Sequence, residues 1–452
     1  MKIRKRILII LIIISTFITT TADITSNATT DDIDNITTTQ SDVSEQNLTL
    51  ASEGAVLIDS ATGKILYGKN ENEKLYPAST TKVITAILAI ENCKLTDKIT
   101  ASYDAVMSIP SGYSNAAIQP GETLTCQELL DMFLIQSANE VGYIFAEHIS
   151  GSIKDFATLM NQKAVALGCK NTHFTNPSGI HDENHYSTAY DMALIARYCM
   201  KNETFRTIVS KPSCTIAATD KYEERYFRNT NDLLNSSSQY YYQYAIGTKT
   251  GYTSQAKRCL IAASLKDNVE LITVTLGAAP TKPDTRYLDT INLFEYGFSN
   301  YKTGKIATKN SIAKEIVIEN GTKDTKNLSL LIENDITGLV PANLNLNNLD
   351  YSIKLNDLIT APIQESAVLG KITYTIDGTE YSSNLIAEHS VEEFDPVTIL
   401  KQVALALFVL FVFAKLVSPK KKSKKSVSKK KYSGTKKHKN YKKSSDSIYK
   451  FN

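Results

Sequence analysis

Tyr76-Pro77-Ala78-Ser79-Thr80-Thr81-Lys82, continuing into Val83-Ile84-Thr85-Ala86-Ile87-Leu88-Ala89-Ile90, is the stretch on which the fold turns. Pro77 marks where a helix begins, since proline is tolerated at a helix start and not in its interior. Residues three apart share a helix face. Ser79 and Lys82 are therefore expected side by side, hydroxyl beside amine, at the positive end of the helix dipole. A serine needs a nearby base to become a nucleophile. A lysine serves as that base only when burial or neighbouring cations lower its pKa, and the apolar run offers burial. N–H groups at the helix start could hold an oxyanion. Ser followed by Thr before an apolar run is also an ordinary helix cap, so the rest of the chain has to decide.

Two further stretches supply what the pair lacks. Thr125-Cys126-Gln127-Glu128 is a capping box, and the helix it opens breaks near Ser137-Ala138-Asn139. A hydroxyl and an amide there could bridge toward a lysine and relay a proton to a leaving group; helix-end capping is the alternative. Gly247-Thr248-Lys249-Thr250-Gly251-Tyr252-Thr253 reads as an edge strand from Thr248 to Tyr252. Gly251 lets a substrate backbone approach, Lys249 offers a fixed cation suited to a carboxylate, and Thr250 offers a hydroxyl. The alternative is a Gly-punctuated turn.

The three motifs in the order S-x-x-K, S-x-N, K-T-G mark the penicillin-binding and serine β-lactamase fold. Their context resembles the low-molecular-mass penicillin-binding proteins, the D-alanyl-D-alanine carboxypeptidases. The resemblance is carried also by Asn176-Pro177-Ser178-Gly179-Ile180, His185-Tyr186-Ser187-Thr188-Ala189-Tyr190-Asp191, Tyr296-Gly297-Phe298 and Ile359-Thr360-Ala361-Pro362-Ile363. It implies that Ser79 is acylated by the penultimate D-alanine of a peptidoglycan stem peptide, with Lys82 as base and Ser137 passing a proton to the departing D-alanine. Asn139 would hold Lys82 and the substrate amide. Lys249 and Thr250 would bind the terminal carboxylate with help from Arg286. Gly251 would admit the substrate, and N–H groups of Ser79 and Tyr252 would form the oxyanion hole. β-Lactams would be covalent inhibitors, and no metal or cofactor is implied. The chain departs from some relatives in having Tyr252 rather than His after K-T-G, and Ser178 and Ile180 in the N-P-x-G-L stretch. None of these removes a reacting group.

The remaining regions set the domain plan. Lys2 to Arg6, then Ile7 to Ile18 and Thr20-Thr21-Ala22, read as a signal peptide over residues 1–22, or an uncleaved anchor. Residues 23–49 are polar and read as a disordered linker. A catalytic domain over 50–299 is expected to join an antiparallel sheet to a helical cluster, an α/β (α+β) transpeptidase-like arrangement. Short alternating runs over 300–390 predict a small all-β domain. Val397 to Val417 is long and apolar enough to be a transmembrane helix, with an interfacial helix as the alternative. Beyond Pro419 lie fourteen Lys and one Asp, a net of +13 against +3 for the whole chain, so the remainder carries −10. A lysine-rich tail over 418–452, attached to a membrane segment, points to anionic lipid on the cytoplasmic side rather than to nucleic acid. The catalytic domain would then face the wall. Six cysteines without a C-x-x-C pair leave buried thiols and disulfides both open.

Two other readings remain. A serine β-lactamase would typically show S-D-N, where this chain has Ala138, and a dedicated deacylating Glu. A catalytically dead wall-binding scaffold would not need Ser79, Lys82, Ser137, Asn139 and Lys249 intact.

Overall fold

The computed structural model describes residues 48–418. The expected signal peptide, all but the end of the linker and nearly all of the lysine-rich tail lie outside the described residues. Strands β1 (Gly54–Asp59) and β2 (Ile65–Lys69) form an antiparallel hairpin around Thr62-Gly63. Helix α1 (Lys82–Asn92) follows, then α2 (Cys126–Asp131), α3 (Asn139–Ser150), α4 (Ile153–Ala166) and α5 (Ala189–Met200). A hairpin of β3 (Ser213–Ile216) and β4 (Arg225–Arg228) precedes β5 (Ala245–Thr253), β6 (Lys257–Lys266), β7 (Val269–Ala278) and α6 (Thr285–Asn300).

The five long strands form an antiparallel sheet in the order β2-β1-β7-β6-β5. β5 is its edge, as the Thr248–Tyr252 reading expected. α5 packs on one face against β7 and β1, and α6 packs on the other against β7 and β6. Cys259 to Ser264 and Leu271 to Ala278 are consequently buried on both faces. That explains near-continuous apolar runs in a sheet whose pairing is antiparallel, where alternation is the usual pattern.

α1 is the axis of the helical layer. All residues from Lys82 to Ala89 are buried, and α3, α4 and α5 surround it. A helix apolar on every side is stable only in such a position. Each fully buried Ile or Leu there contributes about 1.5–3 kcal/mol. The capping box is present as read, with Thr125 Oγ1 accepting from the Glu128 N–H and the Glu128 carboxylate accepting from the Thr125 N–H. The helix it opens does not run on as regular α-helix. Met132–Gln136 widens into a π turn that ends at Ser137, left-handed at φ 69°.

Beyond α6, β8 (Tyr301–Ala307), β9 (Ile312–Val317), β10 (Asn327–Ile332), β11 (Ile336–Pro341), β12 (Tyr351–Leu355), β13 (Val368–Ile376) and β14 (Thr379–Ala387) form the small β unit. Five strands make a sheet ordered β9-β10-β14-β13-β12, and β8 pairs with β11. Buried and exposed residues alternate along β13 and β14, so one face is covered. Lys64 of the β1–β2 turn pairs with Asp377 of the β13–β14 turn at 3.2 Å. The last described element, α7 (Pro396–Val417), is an apolar helix with no buried residue.

Candidate active site

Ser79 does not stand in the first turn of the α-helix, where its sequence context had put it. It lies in a 3-10 turn, Ala78–Thr81, which hands over to α1 at Lys82. Ala78 adopts φ 49°, and this left-handed residue bends the chain into the tighter turn. Residues three apart eclipse one another in a 3-10 turn, so the pairing survives the change. Lys82 Nζ is 2.9 Å from Ser79 Oγ. Gly179 makes the turn possible: it has φ +76°, and a Cβ there would sit 1.8 Å from the Ala78 carbonyl oxygen.

Lys82 is fully buried. Its Nζ donates to Asn139 Oδ1 at 2.7 Å and to the main-chain carbonyl of Ser178 at 2.7 Å. Burial, reinforced by the nearby Lys249 cation and opposed by Glu140, holds its pKa well below the usual lysine range. A neutral amine has two N–H groups and one lone pair. The Asn139 and Ser178 oxygens can only accept, so the lone pair is left facing the Ser79 hydroxyl. That is the arrangement of a base ready to take a proton from a nucleophile.

Asn139 is fixed from two sides. Its N–H and its Nδ2 both donate to the Ser114 carbonyl, at 3.0 and 2.7 Å. The Ser178 hydroxyl donates to the Asn139 carbonyl at 2.7 Å. The sequence marked Ser178 only as a departure in the N-P-x-G-L stretch; the structure makes it a direct partner of both Lys82 and Asn139. No local signal could have revealed the lysine contact, because a main-chain acceptor has no side-chain signature. His185 was likewise missed as a support. Its Nδ1 accepts the Thr175 N–H at 3.1 Å, which leaves Nε2 to donate to Thr81 Oγ1 at 2.9 Å. Burial pushes its pKa down to about 3, so it stays neutral.

β5 runs alongside this turn. A Cβ on Gly251 would lie 3.0 Å from the Ser79 nitrogen, so only glycine allows this approach without displacement. A cleft of about 510 Å³ opens here, lined among others by Ser79, Ser137, Asn139, Thr250, Tyr252 and Arg286. Lys249 does not line it. Its ammonium is buried, donating to the Thr250 carbonyl at 3.0 Å, and burial beside Arg286 lowers its pKa to about 7. Arg286, at the start of α6, reaches the cleft and donates to the Gly251 carbonyl at 3.4 Å while pairing with Asp284 at 3.1 Å. Thr250 Oγ1 is 2.7 Å from Thr230 Oγ1. Ser137 faces the cleft but hydrogen-bonds neither lysine. All nine residues singled out in the sequence thus meet around one cleft, with Lys82 and Lys249 just beneath its surface. All six cysteines are free thiols and five are buried, with the Cys93 and Cys126 thiols in hydrogen-bond contact.

The family model described as D-alanyl-D-alanine carboxypeptidase matches residues 39–280. The chain belongs to this family. A second model, the C-terminal domain of penicillin-binding protein 5, matches residues 301–393. The D-alanyl-D-alanine carboxypeptidase DacF of Bacillus subtilis is 35% identical over 358 residues, covering 78% of this chain and 88% of that protein. DacA of Haemophilus influenzae is 30% identical, covering 76% and 86%. Among solved structures, penicillin-binding protein 5 from Haemophilus influenzae superposes with a TM-score of 0.62 at 28% identity, over 76% of this chain and 99% of that one. The Streptomyces K15 DD-transpeptidase superposes at 0.52 with 31% identity, over 56% and 98%. The carboxypeptidase is therefore a penicillin-binding serine enzyme of peptidoglycan processing, in a transpeptidase-like α/β fold with a C-terminal β domain.

Proposed function

We propose that this carboxypeptidase removes the terminal D-alanine of stem peptides through an ester on Ser79, and that the nine cleft residues divide the work as follows. Ser79 Oγ attacks the carbonyl carbon of the penultimate D-alanine while its proton passes to Lys82. The N–H groups of Ser79 and Tyr252 receive the oxyanion, the type of contact worth several kcal/mol in acyl transfer. The C–N bond then breaks, and Ser137 delivers its proton to the departing amine while taking one from protonated Lys82, which returns to its basic form. Water next adds to the ester with Lys82 again as base. The C–O bond to Ser79 breaks and the hydroxyl regains its proton.

Thr250 and Arg286 are positioned to hold the terminal carboxylate, and Gly251 gives the substrate room. Lys249, just beneath the cleft surface, adds its positive charge toward that carboxylate. Asn139 orients Lys82 and meets the substrate amide. The observation that carries the reading is the Lys82 amine, buried and 2.9 Å from Ser79 Oγ with its other contacts to acceptors.

A fluorescent penicillin tests it. Covalent labelling of the wild type, slow release, and loss of label in Ser79→Ala are expected. Rapid turnover of the drug would favour a β-lactamase, and an unlabelled wild type would favour a binding scaffold.

The domain plan belongs to the same proposal: a signal over 1–22, a linker over 23–49, a catalytic unit over 50–299, a β unit over 300–390, and a membrane span over 397–417. The lysine-rich tail over 418–452 would sit in the cytoplasm against anionic lipid. The 22 residues of α7 rise about 33 Å, enough to cross a hydrocarbon core of about 30 Å. Its side chains are exposed throughout, as lipid contact requires.

A further inference from the structure

Glu140 follows the Ser137-Ala138-Asn139 turn in the first turn of α3, and the steps above leave it unused. It is only 2% exposed. Its Oε1 accepts the Ala116 N–H at 2.6 Å, while its Oε2 is buried without a hydrogen-bond partner. The carbonyl of the same Ala116 accepts from Arg225 Nη1 at 3.2 Å, and Arg225 is paired with the fully buried Glu122. Ala116 is thus gripped at its N–H by an anion and at its C=O by a cation. Two residues earlier, Ser114 supplies the carbonyl that takes both N–H groups of Asn139. With Nδ2 committed to Ser114, Oδ1 is turned toward Lys82. Burial raises the pKa of this carboxyl, while the main-chain N–H groups of Ala116, Glu140 and Ile118 and the Lys82 amine favour its charged form. Glu140 also opposes, by its charge, the effect that burial and Lys249 exert on Lys82.

We propose that Glu140 is a positioning residue of the reaction: it locks the 114–116 segment so that Asn139 presents its carbonyl oxygen to Lys82, and it keeps a carboxylate within electrostatic reach of that amine. The proposal rests on the carboxypeptidase reading with Lys82 as base. The charged and titratable groups around Lys82 are Glu140 from α3, Lys249 from β5 and His185 from the loop before α5. Removing the anion disfavours the protonated lysine, so the basic form persists to lower pH.

The test measures D-alanine release from a pentapeptide by the full chain in detergent, across about pH 5 to 9, for the wild type, Glu140→Gln and Glu140→Ala. Gln keeps an acceptor for Ala116 and drops the charge. The acid limb of kcat/KM is expected to move down by about half a pH unit or more, with KM little changed. Ala drops both contributions, and kcat is expected to fall by roughly tenfold or more. An acid limb that stays in place or moves up in Glu140→Gln overturns the proposal. So does a folded Glu140→Ala enzyme within twofold of wild type; should that variant not fold, the Gln limb decides alone. A wild type that releases no D-alanine would instead sink the carboxypeptidase reading.

Discussion

His185 lies directly behind the turn that carries the nucleophile, and its burial has a consequence for acid stability. Its pKa falls from an ordinary 6.5 to about 3 in the folded protein. Below the ordinary value the unfolded chain takes up a proton that the folded chain refuses. Stability is therefore present above about pH 6.5 and is lost as pH falls toward about 3, with a slope of up to about 1.4 kcal/mol per unit. Thermal unfolding of the wild type should steepen with acid across this window, and His185→Gln, though less stable at neutral pH, should show a shallower dependence. Equal slopes would mean that His185 protonates freely in the fold. At this scale the sequence revealed the residues whose side chains react or bind, since Ser79, Lys82, Asn139 and Thr250 each need a particular functional group. It did not reveal Ser178 and His185 as supports, because their roles depend on which distant backbone happens to lie beside them.

The elements were legible in proportion to how locally they are determined. The capping box at Thr125 and the edge strand carrying Gly251 are dictated by nearby residues. The 3-10 turn at Ala78 and the π turn before Ser137 are not, because long-range packing imposes them. Gly179, a hundred residues on from Ser79, is what accommodates the first. Thr125→Ala should cost about 1 kcal/mol, the ordinary worth of such a cap, and lower the unfolding midpoint. Because α2 and the π turn lead straight to Ser137, the variant also reports on coupling between them. Penicillin labelling at the wild-type rate is expected, since π-turn residues Met132 to Ile135 are themselves buried. A slowed label would show that the cap helps to hold Ser137.

Across the whole molecule, the sheet, the helical layer and the β unit followed from alternating and apolar runs, while the contact between the two units did not. That contact includes Lys64 with Asp377, two turn residues far apart in the chain. The proposed topology makes its own prediction. Protease outside intact cells should remove the catalytic and β units and leave an epitope on the lysine-rich tail protected. Digestion of that epitope from outside would overturn the orientation. Ending the chain before Pro396 should release an enzyme into the medium that still takes the penicillin label; retention on the cells would show that another segment holds it.

Lys82 depends for one of its contacts on a carbonyl that every amino acid carries. Replacement of Ser178 by any other residue leaves that oxygen in the chain, and only a shift of the backbone around Gly179 could withdraw it. A gene acquiring drug resistance one codon at a time cannot delete this support by changing Ser178 itself; it would have to move the backbone, and a side chain at Gly179 would do so only by colliding with the Ala78 carbonyl beside the nucleophile. An inhibitor whose captured state relies on the same lysine geometry gains a foothold that the coding sequence cannot readily erase.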